Sequence, residues 1–152
     1  MRLVIGIGNT LRGDDGVGAA VAQQLAAQQH LPDLRVIACH QLTPELTALI
    51  SQAEQVIFVD ASANLSAGEV KVIPLELDLA DLENVRSLTT HDWAPAALLM
   101  AAKALYGAQP RSALVVIGAQ HFEHCEQLSE SVRRALPCAT QLILSLLRGE
   151  AH

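Results

Sequence analysis

Aromatic residues are scarce in this chain, making up 3% of its 152 positions. Its core must therefore be built from Leu, Val, Ile and Ala, within a hydrophobic fraction of 51%. Cysteine is sparse as well. Cys39, Cys125 and Cys138 are odd in number, far apart and without a CxxC pair, which excludes a disulfide framework. No apolar run approaches the roughly 20 residues of a membrane span. The opening Met1-Arg2-Leu3-Val4-Ile5-Gly6 lacks the apolar region and cleavage site of a signal peptide, so a cytoplasmic protein with no membrane partner is expected. Positive charge is in deficit too. A formal net charge of −6 disfavours nucleic acid as a partner. Internal repeats and low-complexity tracts are absent, and the length suits a single domain over residues 1–152.

What the chain does have is an alternation of strand-like and helix-like segments. Leu3 to Gly8 is an apolar run ending in glycines, as expected of a strand buried on both faces. Residues 17 to 29 follow with Val17, Val21 and Leu25 at helical spacing. Leu34 to Ala38 reads as a second strand, and Thr43-Pro44-Glu45 as a helix start with Thr43 the N-cap. Val56 to Val59 is a third strand ending at Asp60. The stretch from there to the fourth strand, Glu69 to Ile73, is too short for a parallel crossover, so that strand is expected to be antiparallel and at an edge. Residues 93 to 106 form a helix with Leu98, Leu99, Ala102, Leu105 and Tyr106 on one face. Leu114 to Gly118 is the fifth strand. A last helix carries Leu142, Ile143, Leu146 and Leu147 and stops at Gly149, with Cys138 beside Pro137 at its start and expected to be packed. The pattern implies an α/β, three-layer αβα sandwich around a five-stranded, mostly parallel twisted sheet with one antiparallel strand.

In such open sheets, ligands bind beyond the carboxyl ends of the strands. There the sequence places Gly6-Ile7-Gly8-Asn9-Thr10-Leu11-Arg12-Gly13-Asp14-Asp15-Gly16-Val17-Gly18 after the first strand and Val59-Asp60-Ala61 after the third. Thr89-Thr90-His91-Asp92 stands ahead of the long helix. Acids and a histidine thus gather at one rim, and Zn²⁺ or Ni²⁺ accepts carboxylate oxygen and imidazole nitrogen together. Each residue also has a plainer reading. A strand-end Asp can be a turn former, Asp15 a helix N-terminal acid, and His91 a capping or exposed histidine.

The Gly6-x-Gly8-Asn9-x-Leu11-x-x-Asp14-Asp15-Gly16-x-Gly18 motif, Val59-Asp60-Ala61 and Thr90-His91 together resemble the [NiFe]-hydrogenase maturation proteases, along nearly the whole chain. The resemblance implies an endopeptidase that removes a C-terminal extension from the hydrogenase large-subunit precursor after nickel insertion. It also implies that Asp15, Asp60 and His91 are the catalytic and metal-contacting residues, with Asp14 the next candidate for the first acid. Nickel would arrive with the substrate rather than reside in the protease. His40-Gln41-Leu42, where many members carry a Gly-Thr loop, resembles the branch serving NAD-reducing bidirectional hydrogenases, which makes Gln41 and Leu42 candidates for substrate recognition. A working monomer is expected, because the substrate must enter an open cleft.

Three other readings compete. A nickel-binding chaperone or adaptor for the large subunit would use the same ligands without cutting. A dinucleotide-binding protein would need a third glycine where Leu11 stands and an acid after the second strand, which ends Ala38-Cys39-His40. A thiol protease built on Cys39 and His40 is disfavoured because adjacent strand residues point to opposite faces. His121-Phe122-Glu123-His124-Cys125 has soft ligands but no second pair, and reads as a surface loop rather than a zinc site.

Overall fold

The computed structural model describes residues 1–28, 31–75 and 94–149. Five strands, β1 (Arg2–Ile7), β2 (Leu34–Cys39), β3 (Gln55–Ser62), β4 (Val70–Pro74) and β5 (Arg111–Gly118), form one sheet in the order β2-β1-β3-β5-β4. The pairs β1/β2, β1/β3 and β3/β5 are parallel, and β4 runs antiparallel to β5 at the edge. The short connection after β3 dictates this direction, since it cannot carry the chain back to the sheet's other end.

A 3₁₀ turn (Gly13–Gly16) leads into α1 (Val17–Gln28); α2 (Leu46–Ser51), α3 (Ala94–Tyr106) and α4 (Glu130–Leu147) complete the described helices. Side chains alternate across the strands, so the central sheet feeds two separate cores. Val4, Ile57, Val59, Val115 and Ile117 pack with Val17, Val21 and Leu25 of α1 and with Val132, Ala139 and Ile143 of α4. On the other face Leu3, Ile5, Phe58 and Leu114 pack with Ile50 of α2 and with Leu98, Leu99 and Ala102 of α3. This is the three-layer sandwich expected from the strand–helix alternation. No helix among the described residues is long and apolar enough to cross a membrane.

Four local expectations need correction. First, α2 begins at Leu46 rather than Pro44, with Thr43 and Pro44 in turns that accept the N–H groups of Leu46 and Thr47. The Thr43 hydroxyl does not cap the helix; it hydrogen-bonds Glu45, holding that carboxyl below its usual range. Second, Leu105 and Tyr106 are exposed, at 72% and 57%. They lie at the angular positions of Leu98 and Leu99 two turns earlier, so the last turn of α3 overhangs the layer it packs on. Third, α4 starts well before Pro137, which lies inside it, and Cys138 is exposed rather than packed. The proline withholds an N–H from the carbonyl of Arg133, on the exposed side where water can replace it. Fourth, Leu144 is buried beside Ile143 and Leu147, while Leu142 and Leu146 are half-buried.

The position of α1 depends on two glycines. A Cβ on Gly6 would lie 2.2 Å from the carbonyl oxygen of Gly18, and one on Gly18 would lie 2.5 Å from that of Ile7 and 2.6 Å from that of Val59. The N-terminus of α1 thus sits on the ends of β1 and β3 with backbone against backbone. Because the obstructing atoms are backbone, no rotamer change relieves the clash. Gly6→Ala is therefore expected to lower unfolding stability by about 2–3 kcal/mol, read from the urea midpoint at unchanged m. A midpoint equal to that of the unsubstituted chain would show that α1 can slide away at no cost.

Candidate functional site

The loop after β1 is wound tightly by its own backbone. The N–H of Leu11 donates to Asn9 Oδ1 at 2.9 Å, and those of Arg12 and Asp15 donate to the carbonyls of Asn9 and Arg12 at 3.1 Å each. Gly8 adopts φ +141°, and a Cβ there would lie 1.9 Å from the carbonyl oxygen of Asp15. The chain thus doubles back close enough for the Asn9 N–H to donate to Asp15 Oδ2 at 2.8 Å. Asp15 is buried, at 5% exposure, and its Oδ1 has no hydrogen-bond partner among the described residues. A buried oxygen of this kind costs free energy unless a ligand completes it. The donor set suits a cation.

Asp60 belongs to β3, whose pairing continues to Ser62, so it lies within the strand rather than just beyond it. It is buried, and its Oδ1 accepts the N–H of Ala61 at 2.8 Å. Gly6 pairs with Val59 and Ile7 with Cys39, so Cys39, Ile7 and Asp60 follow one another across three adjacent strands. The 3₁₀ turn that carries Asp15 packs against β3. Asp15 and Asp60 therefore share the carboxyl rim of the two central strands. His91, with Thr89, Thr90 and Asp92, lies outside the described residues. Among the described residues no three His, Cys, Asp or Glu side chains are grouped to hold a metal, so a two-acid site there would need its third ligand from elsewhere.

Asp14 behaves differently from its neighbour. It is fully buried, and Oδ2 accepts the N–H of Gln120 at 2.7 Å, the N–H of His121 at 2.9 Å and the Ser129 hydroxyl at 2.9 Å. Oδ1 accepts the N–H of Ser129 at 2.6 Å. Burial by itself pushes the Asp14 carboxyl up, but these donors outweigh it and hold the group below the usual carboxylate value. With both oxygens committed to the β5–α4 loop, Asp14 is a poor candidate for the first metal ligand, which favours Asp15.

His121 to Cys125 read from sequence as a surface loop, and the side chains of His121, Glu123, His124 and Cys125 are indeed exposed. The role of the loop's backbone was not legible. Cys125 bridges to Arg12 in the first loop, with the Gly13 N–H on the Cys125 carbonyl at 2.7 Å and the Cys125 N–H on the Leu11 carbonyl at 2.9 Å. Ser129, the N-cap of α4, was the available signal. The apolar spacing from Val132 onward points back to it once Pro137 is accepted inside a helix.

Gln41 and Leu42 follow β2 at the same end of the sheet as Asp15 and Asp60. Gln41 is exposed, and Leu42 is half-buried against the α2/α3 core. Burial, with the charge of Asp60 adding to it, pushes the Cys39 thiol up, and His40 beside it is exposed. A thiol held neutral is a poor nucleophile, which argues against the thiol-protease reading. The dinucleotide reading fails on charge. Two buried carboxylates stand at the start of α1, where a pyrophosphate would have to bind.

The family described as hydrogenase maturation protease matches residues 19–146. No curated protein matches by sequence. Among solved structures, the fold is similar to the hydrogenase maturating endopeptidase HybD from E. coli, with TM-score 0.83 and 24% identity over 98% of this chain and 93% of that one. A hydrogenase 2 maturation peptidase from a Thaumarchaeota archaeon is 29% identical, with TM-score 0.71, over 97% and 98%. The [NiFe] hydrogenase maturation protease HycI from Thermococcus kodakarensis is 26% identical, with TM-score 0.74, over 97% and 92%.

The depressed value of Asp14 gives a pH prediction with a definite sign. A carboxylate whose folded-state value lies below its unfolded value stabilises the fold above the unfolded value, near pH 4. That contribution is lost as pH falls through the folded value. Asp14→Asn is expected to cost about 3 kcal/mol at neutral pH, from lost charge-assisted hydrogen bonds. The gap should shrink as both proteins are taken below about pH 4. Urea denaturation of the pair across that range checks it, and a gap that stays constant into acid would contradict the assignment.

Proposed function

This chain belongs to the hydrogenase maturation protease family, and on that premise we propose that Asp15, Asp60 and His91 form the site where it engages nickel held by its substrate. The activity is that of an endopeptidase cleaving the C-terminus of the hydrogenase large subunit. Membership in a family of proteases favours cleavage over a purely escorting role. The observation that carries the site is the buried Asp15 Oδ1, left without a partner among the described residues on a turn packed against the strand that bears Asp60.

Nickel brought in with the precursor supplies Lewis acidity at the rim. The chain's own contribution is placement. Asn9 holds Asp15 through one oxygen and leaves the other, buried, without a partner among the described residues, while β3 presents Asp60 from a central strand. His91 is the nitrogen donor of the set. Because the metal belongs to the substrate, the protease reads nickel insertion as the licence to cut. The partner is a large-subunit precursor of the NAD-reducing type, read by Gln41 and Leu42 beside β1, and the protease works as a cytoplasmic monomer with its rim open to the docked precursor.

Processing of nickel-loaded precursor, followed by gel shift, tests the site. His91→Ala, Asp15→Ala and Asp60→Ala should each fold, by circular dichroism, yet lose at least about 100-fold in processing rate. Combining them should add little, because groups acting as one unit are not additive. Asp15→Asn should leave stability unchanged or raise it, since Asn retains an oxygen for the Asn9 N–H and removes a buried charge. Full processing by a well-folded His91→Ala protein would overturn the ligand assignment.

Replacing Gln41 and Leu42 by Gly and Thr should change which large subunit is processed while leaving metal affinity intact. The readout is competition between two nickel-loaded precursors. An unchanged preference would remove these residues from recognition.

A further inference from the structure

Asp14 is a buried ionised group that the proposed reaction does not use, and its surroundings suggest why it adjoins one that the reaction does use. In a 3₁₀ turn successive side chains leave the axis about 120° apart. Neighbouring carboxylates on the Gly13–Gly16 turn are thereby aimed at different parts of the molecule. Asp15 turns back to the Asn9 N–H, and Asp14 reaches the β5–α4 loop. Four donors from Gln120, His121 and Ser129 converge on Asp14. The Asp14 N–H donates in turn to the His121 carbonyl at 2.8 Å. The first loop is thus fastened to the rest of the molecule immediately beside Asp15, by the side chain and backbone of one residue.

We propose that Asp14 is a positioning residue, whose carboxylate clamps the first loop to the start of α4 and so holds Asp15 in the attitude that keeps the buried Oδ1 unpartnered among the described residues, as a ligand for the substrate's metal. The proposal rests on the reading of Asp15 as a ligand. A metal–oxygen bond tolerates little displacement, so a carboxylate that rocks with its loop loses the metal geometry before it loses the fold. Ser129 contributes two of the four bonds from the N-cap position of α4, so the helix that covers one face of the sheet also sets the register of the clamp.

The test is steady-state processing of nickel-loaded precursor by Asp14→Asn, Ser129→Ala and Asp15→Asn, each normalised to its folded fraction. Asparagine cannot match the clamp. It offers one acceptor oxygen, and its amide faces backbone N–H donors. Asp14→Asn should lower kcat by about 10- to 100-fold with KM near that of the unsubstituted protein. Ser129→Ala, which keeps its N–H and loses only the hydroxyl bond, should lower kcat less and in the same way. A purely structural role would change the folded fraction and leave kcat per folded molecule unaltered, and that result would overturn the proposal. If Asp14→Asn does not fold, the kcat of Ser129→Ala decides on the same criterion. Asp15→Asn separates the two readings. Full activity there defeats the site itself, whereas an inactive Asp15→Asn beside a fully active, folded Asp14→Asn defeats only the clamp.

Discussion

The contact between the backbones of Gly6 and Gly18 is the constraint from which the rest of the site follows. Without side chains between them, the start of α1 rests directly on the ends of β1 and β3. That proximity forces the connecting residues 8 to 16 into a tight excursion above the rim rather than a broad loop beside it. Gly8 permits the reversal, and the 3₁₀ turn that results packs on β3, with Asp15 turned back to Asn9 and Asp14 turned to the β5–α4 loop. Any side chain at these glycines would lift the turn, and both acids with it, off β3.

Two adjacent buried acids on one turn would repel each other if both were left bare. The structure resolves this by giving them unequal surroundings. Asp14 is surrounded by donors and stabilised as an anion, so its charge is spent on holding two loops together. Asp15 receives one N–H and retains an uncompensated oxygen, a local cost that a cation removes. The difference between the two carboxylates is thus made by hydrogen bonding rather than residue type.

Much of the architecture was legible in the chain. The apolar runs at Leu3–Ile7, Val56–Val59 and Leu114–Ile117 read as buried strands because strands covered on both faces have no polar side to show. The short connection before β4 predicted its direction on chain geometry alone. The misreadings arose where local signals and tertiary packing disagree. Pro137 looked like a helix start because proline is costly inside a helix, yet the apolar stripe of α4 runs through it. Leu105 and Tyr106 sit on the correct angular face and still lack cover, because a helix can outlast the layer beneath it.

The sequence by itself determined which residue types stand at the rim: acids after the first strand and in the third, and a glycine framework that brings them close. It did so because the strands and their ends follow from hydrophobic periodicity, which is local. Only the tertiary structure decided that Asp14 meets four donors while Asp15 keeps an oxygen without a partner among the described residues. The groups that settle the matter are 106 to 115 residues away in the chain, at Gln120, His121 and Ser129. No local pattern records which of two neighbouring carboxylates those distant N–H groups will meet. That depends on the 120° step of a 3₁₀ turn and on where β5 delivers the chain into α4.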